Sequence, residues 1–149
     1  VGTLLAGALG VAFLEGDDLH PADNVRRMAQ GIPLTDDDRR AWLASIAARL
    51  AEARRTDTGL VVACSALKRA YRDLLRRADP DIRFVHLTGD PVLIARRLSQ
   101  RAAHFMPATL LGSQLRTLEP PTPEEHAWTF DLAHTPESIV DEIVVRLSA

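Results

Sequence analysis

The chain has a single cysteine, and none of its apolar runs approaches the ~20 residues that a membrane-spanning helix requires. It also lacks an excess of either charge. Each shortage removes a class of protein. Cys64 alone cannot close an internal disulfide, and beside five dispersed histidines it forms no recognisable zinc-ligand pairing. With 18 Lys and Arg against 20 Asp and Glu, the net charge of -2 recommends neither nucleic acid nor an anionic membrane surface as a partner. The opening VGTLLAGAL has no basic region followed by a long apolar stretch, so it does not read as a secretory signal, and Val1 is not an initiator Met. The expectation is a soluble protein of a reducing, cytoplasmic compartment, cut from a longer chain.

What is present suits a small-molecule enzyme. A length of 149 residues with 46% hydrophobic content supports one core, and the whole of 1–149 is read as one domain. Val1, Leu4, Leu5 and Leu9 fall at helical spacing with Gly10 as a stop. Val11 to Leu14 reads as a strand ending in the polar turn EGDDLHP. Asn24 to Gln30 reads as a helix closing at Gly31. In IPLTDDDRRAW, Thr35 and Asp36 are candidate N-caps for a helix with Trp42, Leu43, Ile46 and Leu50 on its apolar side. Leu60 to Cys64 is an apolar run of strand length, with Ser65 placed to cap a helix from Leu67 to Arg77. Phe84 to Leu87 leads through TGDP into a helix from about Val92 to Arg101, and Thr129 to Ala133 leads into Pro136 to Leu147. Strands alternating with helices predict an α/β fold with a mainly parallel sheet. Between Arg101 and Pro123 no strand is signalled; a basic, His-containing stretch and the exit EPPTP give a place for a mobile flap.

Ligands of open α/β sheets bind outside the carboxyl ends of the strands, and three polar clusters fall at such ends. Glu15, Asp17, Asp18 and His20 form the first. A carboxylate there can take a proton from a substrate hydroxyl or hold a water of a Mg²⁺ ion; equally, the cluster is a solvated loop. The second is CSALKRAYRDLLRR, where Ser65 and a helix N-terminus can bind an anion and Lys68 and Arg72 are one turn apart, or where a capped helix merely shows a basic face. Cys64, inside an apolar strand, reads as a small buried residue and not a nucleophile. The third is RRLSQRAAHFM, whose Arg97, Arg101 and His104 can neutralise a transferring phosphoryl group or can be a solvated helix face.

The stretches GDDLHP, NVRRMAQGIPLTDDDRRAWL, CSALKRAYRDLLR and RAAHFMPATLLGSQLRTLEPP resemble, in order, successive signatures of the gluconokinase family, from about Glu15 to Pro121. The resemblance implies a three-layer P-loop kinase fold that transfers the ATP γ-phosphoryl group to the 6-hydroxyl of D-gluconate with Mg²⁺ as cofactor, and a possible homodimer. It makes Asp17 the carboxylate that orients and deprotonates the hydroxyl, and Glu15, where relatives often have Asp, a water-mediated metal residue. It places His20, Arg39, Ser65, Lys68 and Arg72 around the gluconate, with the cations facing its carboxylate. A lid at about 97–121 brings Arg97 and Arg101 to ATP, together with His104 and Gln114.

Two departures stand out. Where the family usually reads DRxPW this chain has Asp38, Arg39, Arg40, Ala41 and Trp42, a change expected to be tolerated at a helix start. More seriously, no G-x-x-x-x-G-K-[ST] occurs, although that loop cradles the phosphates in the family. With it goes the first strand of the fold, which lies between the counterparts of Leu60 to Cys64 and Phe84 to Leu87. The 149-residue chain is therefore expected to be unstable or inactive, with two open strand edges and an apolar slot. Alternatives are a noncatalytic sugar-acid-binding remnant and a kinase for a related sugar acid.

Overall fold

A computed structural model describes residues 1–100 and 109–149. Helix α1 (Gly2–Leu9) ends at Gly10, whose φ of 68° lies in the left-handed region where a Cβ is penalised. Strand β1 (Ala12–Glu15) runs into a 3₁₀ turn (Gly16–Leu19), followed by α2 (Ala22–Ala29) and α3 (Asp36–Arg55). Thr35 caps α3 reciprocally: its Oγ1 accepts from Asp38 N at 3.1 Å, and the Asp38 carboxylate accepts from Thr35 N at 2.9 Å. Ala41 lies well inside α3 rather than at its start, so it keeps an intrahelical N–H that proline would forfeit.

Strand β2 (Leu60–Ala63), α4 (Arg69–Ala78), β3 (Val85–Thr88), α5 (Pro91–Ser99), α6 (Thr109–Thr117), β4 (Trp128–Asp131) and α7 (Pro136–Ser148) complete the order. Helix α6 occupies part of the stretch read as a flap. Ser65 is not the cap expected of it, because α4 begins only at Arg69. Instead Leu67 N turns back to Ser65 O, and the Glu119 carboxylate, from far along the chain, accepts the Arg69 N–H at 3.0 Å.

The strands form two parallel pairs, not one continuous sheet. β1 runs beside β2 (Ala12 opposite Leu60, Glu15 opposite Ala63), and β3 beside β4 (Val85 opposite Trp128, Thr88 opposite Asp131). Alternation along the strands makes the layers. Leu60 and Val62 pack with Trp42, Ile46 and Leu75 of α3 and α4, while Val61, Val85 and Leu87 pack with Leu5, Ile139 and Ile143 of α1 and α7. Between β2 and β3 lies a mainly apolar cavity of about 660 Å³, reached by Leu5, Ile46, Leu50 and Ile143 from the two helical layers. Among the described residues no strand fills it.

A buried ion-pair network ties α4 to the segment before β4. Glu125, with no exposed side-chain surface, accepts from Arg72 Nε at 2.7 Å, from Arg76, and from Thr122 N at 2.8 Å. Burial works against its charge, but these hydrogen bonds prevail and hold its carboxyl at about 2. Because the folded value lies below the ordinary 4.5, the resulting stability is present above that ordinary value and is lost as pH falls towards 2. Glu125→Gln strands two cations in the interior and is expected to cost about 3–5 kcal/mol at neutral pH. Urea titrations at neutral and acid pH should show a deficit that narrows on acidification; a constant deficit would assign the loss to packing.

Candidate active site

The carboxyl ends of β1 and β2 open onto a small polar pocket lined by Asp17, His20, Arg39, Trp42, Ser65 and Gln114. Close packing sets its floor: a Cβ on Gly16 would lie 2.4 Å from Ala63 O, so only glycine lets the 3₁₀ turn fold tightly over β2. Trp42 Nε1 donates to Gly16 O at 2.7 Å, and the indole stacks on His20 with ring centroids 4.3 Å apart. That sandwich fixes the turn carrying Asp17 and His20, whose Oδ1 and Nε2 are 3.9 Å apart. Burial pushes the His20 imidazole below its ordinary value, with Asp17 opposing and Arg39 reinforcing.

Arg39 is buried, and its Nη1 donates to the Tyr71 hydroxyl at 3.0 Å. Tyr71 in turn donates to the Asp36 carboxylate, which also accepts from Lys68 Nζ at 2.9 Å. Hydrogen bonds from Tyr71 and Lys68 hold the Asp36 carboxyl below its usual range. Lys68 is therefore linked to the pocket through Tyr71 and Arg39 without lining it.

Of the residues singled out from sequence, Asp17, His20, Arg39, Ser65 and Gln114 come together here. Arg72 does not: Nε meets Glu125, Nη1 donates to Ala66 O at 2.8 Å and Nη2 to Glu119 O at 2.9 Å, so its guanidinium is committed to the network beneath α4. Arg97 stands on α5, outside this pocket, and Arg101 and His104 lie outside the described residues. Sequence reading took Trp42 for core alone and passed over Asn24 and Tyr71. The three-residue spacing from Arg39 to Trp42, which puts both on one side of α3, is a signal that could have found the first.

Glu15 ends β1 opposite Ala63. Burial first, and then the Asp17 and Glu15 carboxylates, push the neighbouring Cys64 thiol up to about 12. The thiol is thus kept protonated and inert as a nucleophile. The described residues contain no cluster of three His, Cys, Asp or Glu able to cage a metal. Mg²⁺ seldom needs one, being held by one or two carboxylates, water and substrate phosphates.

A scan against protein-family models finds no match. The gluconokinase of Gluconobacter oxydans (strain 621H) is 45% identical over 149 residues, covering 100% of this chain and 84% of that protein. This chain belongs to the gluconokinase family. The thermosensitive gluconokinase of Escherichia coli (strain K12) is 45% identical over 126 residues, 84% of this chain and 67% of its own length. Among solved structures, a gluconokinase from Sinorhizobium meliloti 1021 aligns with a TM-score of 0.85 at 47% identity, over 99% of this chain and 82% of that one. An unliganded sugar kinase from Janibacter sp. HTCC2649 reaches 0.91 at 41%, over 99% and 85%. The α/β fold with its parallel strand pairs therefore matches that of solved gluconokinase and sugar-kinase structures over nearly the whole chain. The protein is a gluconokinase by family, an α/β kinase, and membership implies ATP as donor and a small molecule as acceptor. No described helix is long and apolar enough to cross a membrane.

Proposed function

We propose that residues 1–149 belong to a single kinase domain which, with a phosphate-binding loop in place, transfers the γ-phosphoryl group of ATP to the 6-hydroxyl of D-gluconate, giving 6-phospho-D-gluconate and ADP in the cytoplasm. The observation that carries this reading is the convergence of one carboxylate, one imidazole and one buried guanidinium, Asp17, His20 and Arg39, on a single pocket. A polyhydroxy acid needs that set. Arg39, with Lys68 behind it, attracts the substrate carboxylate, while His20, Ser65 and Gln114 hydrogen-bond hydroxyls. Asp17 accepts the 6-hydroxyl proton as that oxygen bonds to the γ-phosphorus and the bond to the ADP oxygen breaks. Glu15 would hold a Mg²⁺ ion through water, and the ion would supply neutralisation of phosphate charge.

The enclosed free space in the pocket is about 20 Å³, room for a water but not for a six-carbon acid. Gluconate would therefore enter as α6, which carries Gln114, draws back, with Arg97 serving ATP; Arg101 and His104, of the same lid signature, lie outside the described residues. Pairing into a homodimer belongs to the same reading. A second reading is a sugar-acid-binding chain without productive ATP binding, which keeps the same pocket of Asp17, His20 and Arg39. Calorimetry on the chain extended by a loop-bearing segment ahead of Val1 separates them, since both readings keep gluconate binding but only the kinase gains MgATP binding. Gluconate should bind at least about tenfold more tightly than other aldonic acids, because a pocket of buried polar groups penalises a misplaced hydroxyl. Equal affinity across such a panel would remove gluconate as the substrate.

A further inference from the structure

Asn24 is buried in the first turn of α2 and is not itself a lining residue of the pocket, yet its side chain touches two of the segments that build it. Its Nδ2 donates to the Asp38 carbonyl oxygen at 2.6 Å and stands 3.3 Å from His20 Nδ1. A carbonyl oxygen can only accept, so the first contact fixes which end of the amide is the NH₂ group. The second hydrogen of that group then faces His20 Nδ1. A ring nitrogen that accepts a hydrogen bond carries no proton, which leaves the proton of the neutral imidazole on Nε2. Nε2 is the nitrogen facing Asp17 at 3.9 Å. Trp42, stacked within 12° of parallel, stops the ring from turning over to present the other nitrogen.

We propose that Asn24 is a positioning residue that sets the His20 tautomer, so that Nε2–H is the donor offered to the sugar acid beside Asp17. The same amide ties His20 to the first turn of α3, where Arg39 follows Asp38, and so registers the imidazole against the guanidinium. The link to substrate rests on the gluconate reading above. The tautomer does not.

The test uses the 149-residue protein with ¹⁵N-labelled histidine. In the native chain at a pH where His20 is neutral, His20 Nδ1 should resonate as a bare ring nitrogen and Nε2 as a protonated one; the reverse pattern overturns the proposal without any variant. Asn24→Asp replaces the donor by a group that only accepts, so the proton should move to Nδ1, while Asn24→Ala should leave a mixture. An unchanged tautomer in a folded Asn24→Asp chain also overturns it. In calorimetry, Asn24→Asp should weaken gluconate binding about tenfold, the worth of one hydrogen bond presented from the wrong side. A tautomer that switches with no change in gluconate affinity removes the role toward substrate. Should the native chain bind no gluconate, the functional reading fails, and the nitrogen spectra still decide the positioning.

Discussion

Extending the chain ahead of Val1 by one apolar strand and a G-x-x-x-x-G-K-[ST] loop is expected to raise gluconate-dependent ADP release at least about 10³-fold over the 149-residue chain, with a higher unfolding temperature. The rate argument is electrostatic: backbone N–H groups and a lysine aimed at the phosphates supply stabilisation of which one donor alone is worth about 10²–10³. The stability argument comes from the gap. Among the described residues β2 and β3 each pair on one side only, and the 660 Å³ between them is walled by Val61, Val62, Val85 and Leu87 and capped by Leu5 and Ile46. A strand there finds hydrogen-bonding partners on both edges and apolar contacts on both faces, the setting of a central parallel strand. The described fold as a whole aligns with the Janibacter kinase at a TM-score of 0.91. A coupled assay on the two chains measures the first effect and thermal melts the second. Replacing the loop lysine by alanine should keep the rise in melting temperature and lose most of the rate. Comparable turnover by the short chain would sink this account of the phosphate site.

How much was legible from sequence follows from how local each determinant is. Gly10 as a stop and Thr35 as a cap were readable because the deciding contacts lie within four residues. The layers were readable because Val61 and Val62 must face opposite ways in any strand. Ser65 was misread because its rival, the Glu119 carboxylate, arrives from a distant segment that no local rule senses. Lys68 and Arg72 were paired by the i, i+4 rule, which presumes that both lie on a helix. Lys68 sits before the helix in extended backbone, φ −110° and ψ 149°, so it turns to Asp36 while Arg72 turns inward to Glu125. Asp17 and His20 were found as types at the end of a strand, whereas Arg39 entered only through the family resemblance. Asn24, Trp42 and Tyr71 act by holding those three, and such support shows only once the fold has brought α2, α3 and α4 together.

Asp17→Asn in the extended chain is expected to lower kcat by about 10²–10⁴, the usual worth of a positioned general base. The substitution keeps the size of the side chain and its ability to hydrogen-bond a hydroxyl, so the KM for gluconate should change by only a few-fold, and the loss belongs to the step in which the proton leaves the 6-hydroxyl. His20 supplies an internal check on the geometry. Its imidazole is pushed below the ordinary value by burial, and the Asp17 carboxylate opposes that push. Removing the charge while leaving the burial and Arg39 in place should therefore lower the His20 value further, a direction that an NMR titration reads in the absence of substrate. A fall in kcat accompanied by that shift places the lost base beside His20. A fall in kcat with His20 unmoved would mean that the two side chains are not neighbours in solution, and a kcat within a few-fold of the parent chain would take the base role from Asp17 altogether.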